Sequence, residues 1–280
     1  MRTYVITGGT DGMGKGLGLH FLERGDRVIA VASGKPKGRA FLAEAEALGA
    51  GERAVFLRAD LSTVAGMRRV VEEVTATTEA VDGLVFGAQR FRPVREETAD
   101  GLEFTFALSY LSRVVIGEGL MERLERADAP VIMSLAGSGG LPGQIFWDDL
   151  QLREGYKGMR ASMQSSRCLD LLGAGFPIRH PGARTRYVLY NPGFVNTGMA
   201  DPLRQPMRSL TKVLARFFAM PVSKAIVPIA RLLDHPPEAA ATAFMRGKPL
   251  PLTGSAFAPA AADRLHRVTA DLLAGLPATR

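Results

Sequence analysis

The sequence predicts a doubly wound α/β fold on a parallel sheet, and three observations carry that expectation. Short apolar runs alternate with amphipathic stretches along most of the 280 residues, which is the pattern of βαβ units. The first apolar run, Tyr4-Val5-Ile6, leads straight into Thr7-Gly8-Gly9-Thr10-Asp11-Gly12-Met13-Gly14. A strand that ends in a glycine-rich turn and enters a helix is a phosphate cradle. Glycine lets the backbone turn tightly and approach a pyrophosphate, and the helix N-terminus offers unpaired N–H groups. Finally, the chain is long enough to bury a sizeable core on both faces of such a sheet.

Taken in order, strands are expected at 3–7, 27–31, 54–58, 83–86, 131–135 and 186–190, where apolar runs are bounded by turn residues. Helices fit between them at 14–24, 39–48, 64–77, 101–127 and 159–175. After Asn191-Pro192-Gly193 the alternation weakens. Residues 194–221 read as a loop with a basic amphipathic helix, followed by a helix at 223–233, a short strand near Phe244 and a C-terminal helix near 260–273. No internal repeat or low-complexity linker divides the chain, so residues 1–280 are expected to form one domain, with a lid at about 194–222.

Composition narrows the function classes. A net charge of +7 raises the possibility of nucleic acid. No aromatic-basic interleaving accompanies it, and a solvated basic surface is the simpler reading. No run is apolar enough to span a bilayer, and the first residues lack the order of a signal peptide. The single cysteine, Cys168, cannot form an internal disulfide and fits a reducing cytoplasm. No His/Cys/Asp cluster has metal spacing, so no metal is expected. His20, His180, His235 and His266 lie outside the expected cleft and read as structural.

The spacing Thr-Gly-x-x-x-Gly-x-Gly, Asp60-Leu61 after the third strand, and Asn191-Pro192-Gly193 with Thr197 after the sixth resemble the short-chain dehydrogenase/reductase family over essentially the whole chain. Gly143 to Leu150, Asp100-Gly101-Leu102-Glu103 and the tail at 268–273 resemble its retinol-dehydrogenase-like branch. The resemblance implies that Gly8, Gly12 and Gly14 hold a pyrophosphate, with Thr10, Met13, Ser33, Lys35 and Gly87 also binding the cofactor. It also implies that Asp60 and Leu61 take the adenine, and that Pro192, Gly193 and Thr197 face a nicotinamide. The end of the second strand decides between cofactors. An NAD site wants a carboxylate there for the ribose hydroxyls. This chain has Ser33, Gly34 and Lys35, then Lys37 and Arg39, which favours NADP(H) over NAD(H). Asp11 gives no support to a phosphate, since some NADP-preferring relatives carry a basic residue there.

Relatives reduce a carbonyl with a Tyr proton donor, a Lys four residues later that lowers its pKa, a Ser that polarises the carbonyl, and an Asn that holds a relay water. In this chain those slots look emptied. Aligning Ala161 to Ser166 with the Ala-Tyr-x-x-Ser-Lys of relatives puts Ser162 in the Tyr slot and Ser166 in the Lys slot. Ala136 falls on the catalytic Ser and Ser109 on the Asn. Tyr156, Arg160 and Ser138 are the candidate substitutes, with Tyr110 beside the Ser109 slot. In the lid, Arg204, Arg208, Lys212 and Arg216 recur every four residues. They form either a solvated face, a dock for an acidic carrier protein or anionic substrate, or a membrane-surface contact.

Three functions follow as expectations. The first is an NADP(H)-dependent oxidoreductase of a carbonyl or alcohol in a small or biosynthetic metabolite, with an atypical active site. The second is a non-redox cyclase, lyase or isomerase that retains the fold and a vestigial cofactor. The third is a non-catalytic cofactor-binding protein. A small-molecule substrate, no nucleic acid and a cytoplasmic location are expected. The resemblance leaves open a homodimer through the helices at 101–127 and 159–175.

Overall fold

The computed structural model describes residues 1–135, 138–139, 141–193, 195 and 220–276. Eight strands form one sheet in the order β3-β2-β1-β4-β5-β6-β7-β8. They are β1 (Thr3–Thr7), β2 (Arg27–Ala32), β3 (Ala54–Arg58), β4 (Gly83–Phe86), β5 (Val131–Leu135), β6 (Arg186–Asn191), β7 (Ala241–Met245) and β8 (Lys248–Leu250). The first seven are parallel, and β8 pairs antiparallel with β7. The chain starts at β1 in the middle, winds outward to β3, and then crosses back to β4. The order reverses between β1 and β4, and in open α/β sheets ligands bind at the carboxyl ends of the strands at that switch point.

On one face lie α1 (Gly12–Glu23), α2 (Lys35–Ala47) and α8 (Val222–Asp234). They bury Leu17, Phe21, Phe41, Ile226 and Ile229 against Tyr4, Val28 and Val188. On the other face lie α3 (Val64–Thr77), α4 (Ser112–Gly119), α5 (Met121–Glu125), α6 (Gly158–Ala174), α7 (Phe176–Arg179) and α9 (Pro259–Ala274). They bury Val70, Ile116, Leu169, Phe176 and Leu265 against Val5, Leu84 and Ile132. Both faces of the strands are covered, so β1, β4 and β5 are buried along nearly their whole length and mostly apolar, as expected of a parallel sheet.

Three elements differ from expectation. Helix α2 begins at Lys35 rather than residue 39, because Gly34 is extended at its N-cap and Pro36 occupies the first turn, where its fixed φ suits a helix. The long helix expected at 101–127 is three pieces: a π-helical stretch (Phe106–Leu111), α4 and α5. Its first residues form a turn instead, with Gly101 at φ 73° and Glu103 in a bridge to Glu97. Strand β8 was not expected; Arg246 and Gly247, both at positive φ, turn the chain back on β7. Among the described residues, no helix is long and apolar enough to cross a membrane, and no group of His, Cys, Asp and Glu could hold a metal ion.

Candidate functional site

The turn after β1 is built from contacts that only glycine permits. Gly8 and Gly12 have φ of 69° and 49°. A Cβ on Gly14 would lie 2.4 Å from the Gly8 carbonyl oxygen, and one on Gly8 would lie 3.0 Å from the Ala88 nitrogen. The Gly8 N–H donates to the Val31 carbonyl at 2.8 Å. The Thr7 hydroxyl accepts from the N–H groups of Gly87 and Ala88 at 3.2 and 3.3 Å. The ends of β1, β2 and β4 therefore meet here. Asp11 caps α1 through the Gly12 N–H at 2.8 Å, Thr10 is buried and Met13 half-buried. The structure thus brings Gly8, Thr10, Gly12, Met13, Gly14 and Gly87 together at the N-terminus of α1.

At the end of β2, Ser33 and Lys35 are exposed. The Lys37 ammonium pairs with the Asp11 carboxylate, which reduces its availability to an anion. A cation that the sequence reading missed takes its place. Arg58, the last residue of β3, donates from Nε to the Ser33 carbonyl at 3.2 Å. The signal for it was strand pairing, since β2 and β3 run in register with Ala32 opposite Arg58. Asp60 accepts at Oδ1 from the Ser62 N–H and hydroxyl at 3.0 and 2.7 Å, which fixes its turn, and Leu61 is buried.

At the end of β6, the Gly193 N–H donates to the Asn191 side-chain oxygen at 2.8 Å, and Gly193 has φ 77°. A Cβ there would lie 2.5 Å from Arg246 Nε. The Arg246 N–H donates to the Asn191 carbonyl at 2.8 Å, so the β7–β8 turn is pinned over this loop. Pro192 precedes Gly193, while Thr197 lies outside the described residues. A glycine cradle at a helix N-terminus, with no acid and an added arginine at the β2 end, fits a nicotinamide dinucleotide.

The catalytic slots are less coherent. Ser109 is buried in the π-helical stretch, Ser162 is half-buried on α6, and Ala136 lies outside the described residues. The Ser166 hydroxyl is buried without a hydrogen-bond partner among the described residues. So is that of Ser138, which is fully buried at a left-handed φ of 46°. Next to it the Gly139 N–H donates to Asp170 Oδ1 at 2.9 Å, and Arg167 holds the other carboxylate oxygen at 3.2 Å. Burial raises the Asp170 pKa to about 6.

Tyr156 and Arg160 are not brought to this place. The Tyr156 hydroxyl donates to the Arg92 carbonyl at 3.0 Å and lies 3.4 Å from Glu103 Oε1. Burial raises its pKa and the Glu103 charge adds to the rise, the opposite of what an adjacent ammonium does for a phenol that must give up its proton. Arg160 donates to the Gly155 carbonyl at 3.0 Å and stacks on Phe146. Tyr110 is fully buried, bonded to the Thr269 hydroxyl at 2.8 Å, and burial drives its pKa upward. A second missed residue is Arg113 of α4, buried beneath the last residues of β5. A cavity of about 390 Å³ lies between α1 and α8, lined by His20, Ile226, Ala230 and His235, toward the far end of α1 from the cradle. The basic residues Arg204, Arg208, Lys212 and Arg216, and most of the expected lid, lie outside the described residues.

A sequence model of the short chain dehydrogenase family matches residues 2–147. Polyprenol dehydrogenase of Danio rerio is 29% identical over 238 residues, covering 81% of this chain and 72% of that protein. Retinol dehydrogenase 13 of Mus musculus is 26% identical over 198 residues, covering 70% of this chain and 59% of that protein. The chain therefore spans only part of the length of these curated relatives. Among solved structures, an actinorhodin polyketide ketoreductase with NADPH superposes with a TM-score of 0.66 at 20% identity, over 88% of this chain and 97% of that one. The NADPH-bound carbonyl reductase from chicken fatty liver superposes with a TM-score of 0.63 at 16% identity, over 89% and 98%. These two show a shared fold.

Proposed function

Because this chain belongs to the short-chain dehydrogenase/reductase family, in its retinol-dehydrogenase-like branch, we propose that it is an NADP(H)-dependent oxidoreductase acting on a carbonyl or alcohol of a small or biosynthetic metabolite. The observation that carries the reading is the corner where β2 and β3 end. No acid stands there, Ser33 and Lys35 are exposed, and the Arg58 guanidinium sits on the Ser33 carbonyl. A 2′-phosphate meets a fork-shaped donor in such a corner, whereas the ribose hydroxyls meet no carboxylate from the end of β2, and the Asp11 carboxylate is paired with Lys37. Gly8, Gly12 and Gly14 would hold the pyrophosphate with Thr10, Met13 and Gly87 beside the cofactor, Asp60 and Leu61 the adenine, and Pro192, Gly193 and Thr197 the nicotinamide. When bound, the cofactor supplies the hydride.

The chain's own part is to bind, orient and polarise. Of the three candidate substitutes, Ser138 is the one we favour for polarising a substrate oxygen. Its hydroxyl is buried without a partner among the described residues, two positions beyond the Ala136 slot. An aliphatic hydroxyl cannot be tuned to give up a proton near neutrality, so Ser138 would polarise and a water would carry the proton. Tyr156 and Arg160 would brace the loops that precede α6.

The test is a fluorescence titration with NADPH and NADH. Tighter binding of NADPH is expected, and Arg58→Glu should weaken NADPH by about tenfold or more while leaving NADH nearly unchanged. Equal affinity for the two cofactors would sink the NADP assignment. If neither binds, the second reading stands: a non-redox cyclase, lyase or isomerase, or a non-catalytic protein. The absence of a Tyr and a Lys at positions 162 and 166 favours it.

A further inference from the structure

Among the described residues, the bulkiest of the fully buried side chains is a cation. Arg113 on α4 is 2% exposed. One guanidinium nitrogen donates to the Ser134 hydroxyl and another to the Leu135 carbonyl at 3.0 Å. These are the last two residues of β5, and position 136 follows directly. The guanidinium carbon also lies 5.8 Å from the ring centre of Phe86, the last residue of β4. Among the described residues no carboxylate pairs with Arg113. The buried acid of α6, Asp170, is held instead by Arg167 and the Gly139 N–H. Burial pulls the Arg113 pKa down to about 10, which leaves it charged at neutral pH.

A buried charge without a counter-ion is costly to keep, and neutral hydrogen-bond acceptors compensate it only in part. Its field is also weakly screened, because protein rather than water surrounds it. That field falls on the carboxyl ends of β4 and β5, the strand edge where Gly8, Gly87 and Gly193 gather. Residue 166, the Lys slot of the family resemblance, holds a serine.

We propose that Arg113 is an electrostatic positioning residue that makes the site favour the reduced cofactor over the oxidised one. The inference rests on the cofactor reading above. The oxidised nicotinamide ring carries a positive charge and the reduced ring carries none. A fixed cation buried under the strand ends therefore discriminates between them without touching either.

The experiment measures dissociation constants of NADPH and NADP+ by fluorescence and competition, for the full chain and for Arg113→Gln and Arg113→Lys. The wild type should bind NADPH about tenfold more tightly than NADP+. That ratio should persist from low salt to about 0.5 M, because a buried charge is not screened as a surface one is. Arg113→Gln should reduce the ratio by at least about fivefold, mainly through tighter NADP+ binding, and Arg113→Lys should keep it. A purely structural role would weaken both cofactors together. An unchanged ratio in Arg113→Gln overturns the proposal. If that variant does not fold, a wild type that binds both cofactors equally, or a preference that vanishes with salt, overturns it as well. Failure of both cofactors to bind would refute the cofactor reading and the inference with it; equal binding of both refutes the inference alone.

Discussion

Asp170 shows how one side chain couples α6 to the loop after β5. Its carboxylate accepts from the Gly139 N–H and pairs with Arg167, which also donates to the Leu141 and Gly143 carbonyls at 3.3 Å each. Burial outweighs these partners and raises its pKa from 3.8 to about 6. At a pH below 3.8 the group is protonated in both the folded and unfolded chain. Between 3.8 and about 6 the unfolded chain loses the proton first, so this residue's contribution to stability falls as pH rises, and it levels off above pH 6. Replacing Asp170 by Asn should remove that decline. The variant's urea midpoint relative to wild type should improve from pH 4 to pH 7 by the equivalent of up to about 3 kcal/mol. A constant offset across that range would contradict the assignment. Tyr156 provides the complementary test at this scale. With its hydroxyl spent on the Arg92 carbonyl, Tyr156→Phe should cost about 1 kcal/mol of stability and leave NADPH affinity and any turnover intact. Abolished turnover in a folded Tyr156→Phe would mean that Tyr156, and not position 162, occupies the proton-donor slot.

At the scale of elements, what the sequence announced was what local chemistry decides. Strands β1, β3, β4 and β5 fall on the predicted residues, because apolar runs bounded by turn residues leave little choice of register. Helix α3 also falls where expected, with the Thr63 hydroxyl accepting from the Gly66 N–H at its start. The helix expected at 101–127 starts late because of a local cap. The buried Glu103 carboxylate accepts from the Thr105 and Phe106 N–H groups at 2.8 and 2.6 Å, so it caps the helix where a sequence reading continues it backwards. The cofactor cradle was legible because glycine positions report backbone constraints directly: Gly8 and Gly14 each exclude a Cβ by contact with another glycine's backbone. Arg58, Arg113 and Arg246 were not legible as a group. Each acquires its meaning from a neighbour far away in sequence, namely Ser33, Leu135 and Gly193. The composition shows 35 Lys and Arg together, and nothing in it distinguishes these three from solvated ones.

The molecule as a whole is closed by its C-terminal segment. Phe257, Ala262 and Leu265 join the core formed by α3, α4 and α6, and the Thr269 hydroxyl bonds the buried Tyr110 phenol. The same segment reaches the site loops. The Phe257 ring packs where a Cβ on Gly139 would stand, and the Arg264 guanidinium lies 4.4 Å from the Trp147 ring centre. Helix α9 therefore covers the outer face of α6 and of the π-helical stretch before α4, the face through which the family resemblance left a homodimer open. A covered face has little apolar surface left to drive association. The 280-residue chain should therefore sediment at the mass of one copy across micromolar concentrations. Truncating the anchor by Leu265→Ala removes a side chain that is 1% exposed and should cost about 2–4 kcal/mol of stability. The loosened helix would bare Tyr110 and Leu172, so self-association should appear in the variant before it unfolds. A wild type that already forms a concentration-dependent dimer, with a dissociation constant unmoved by Leu265→Ala, would show that copies meet elsewhere and that α9 is not what keeps them apart.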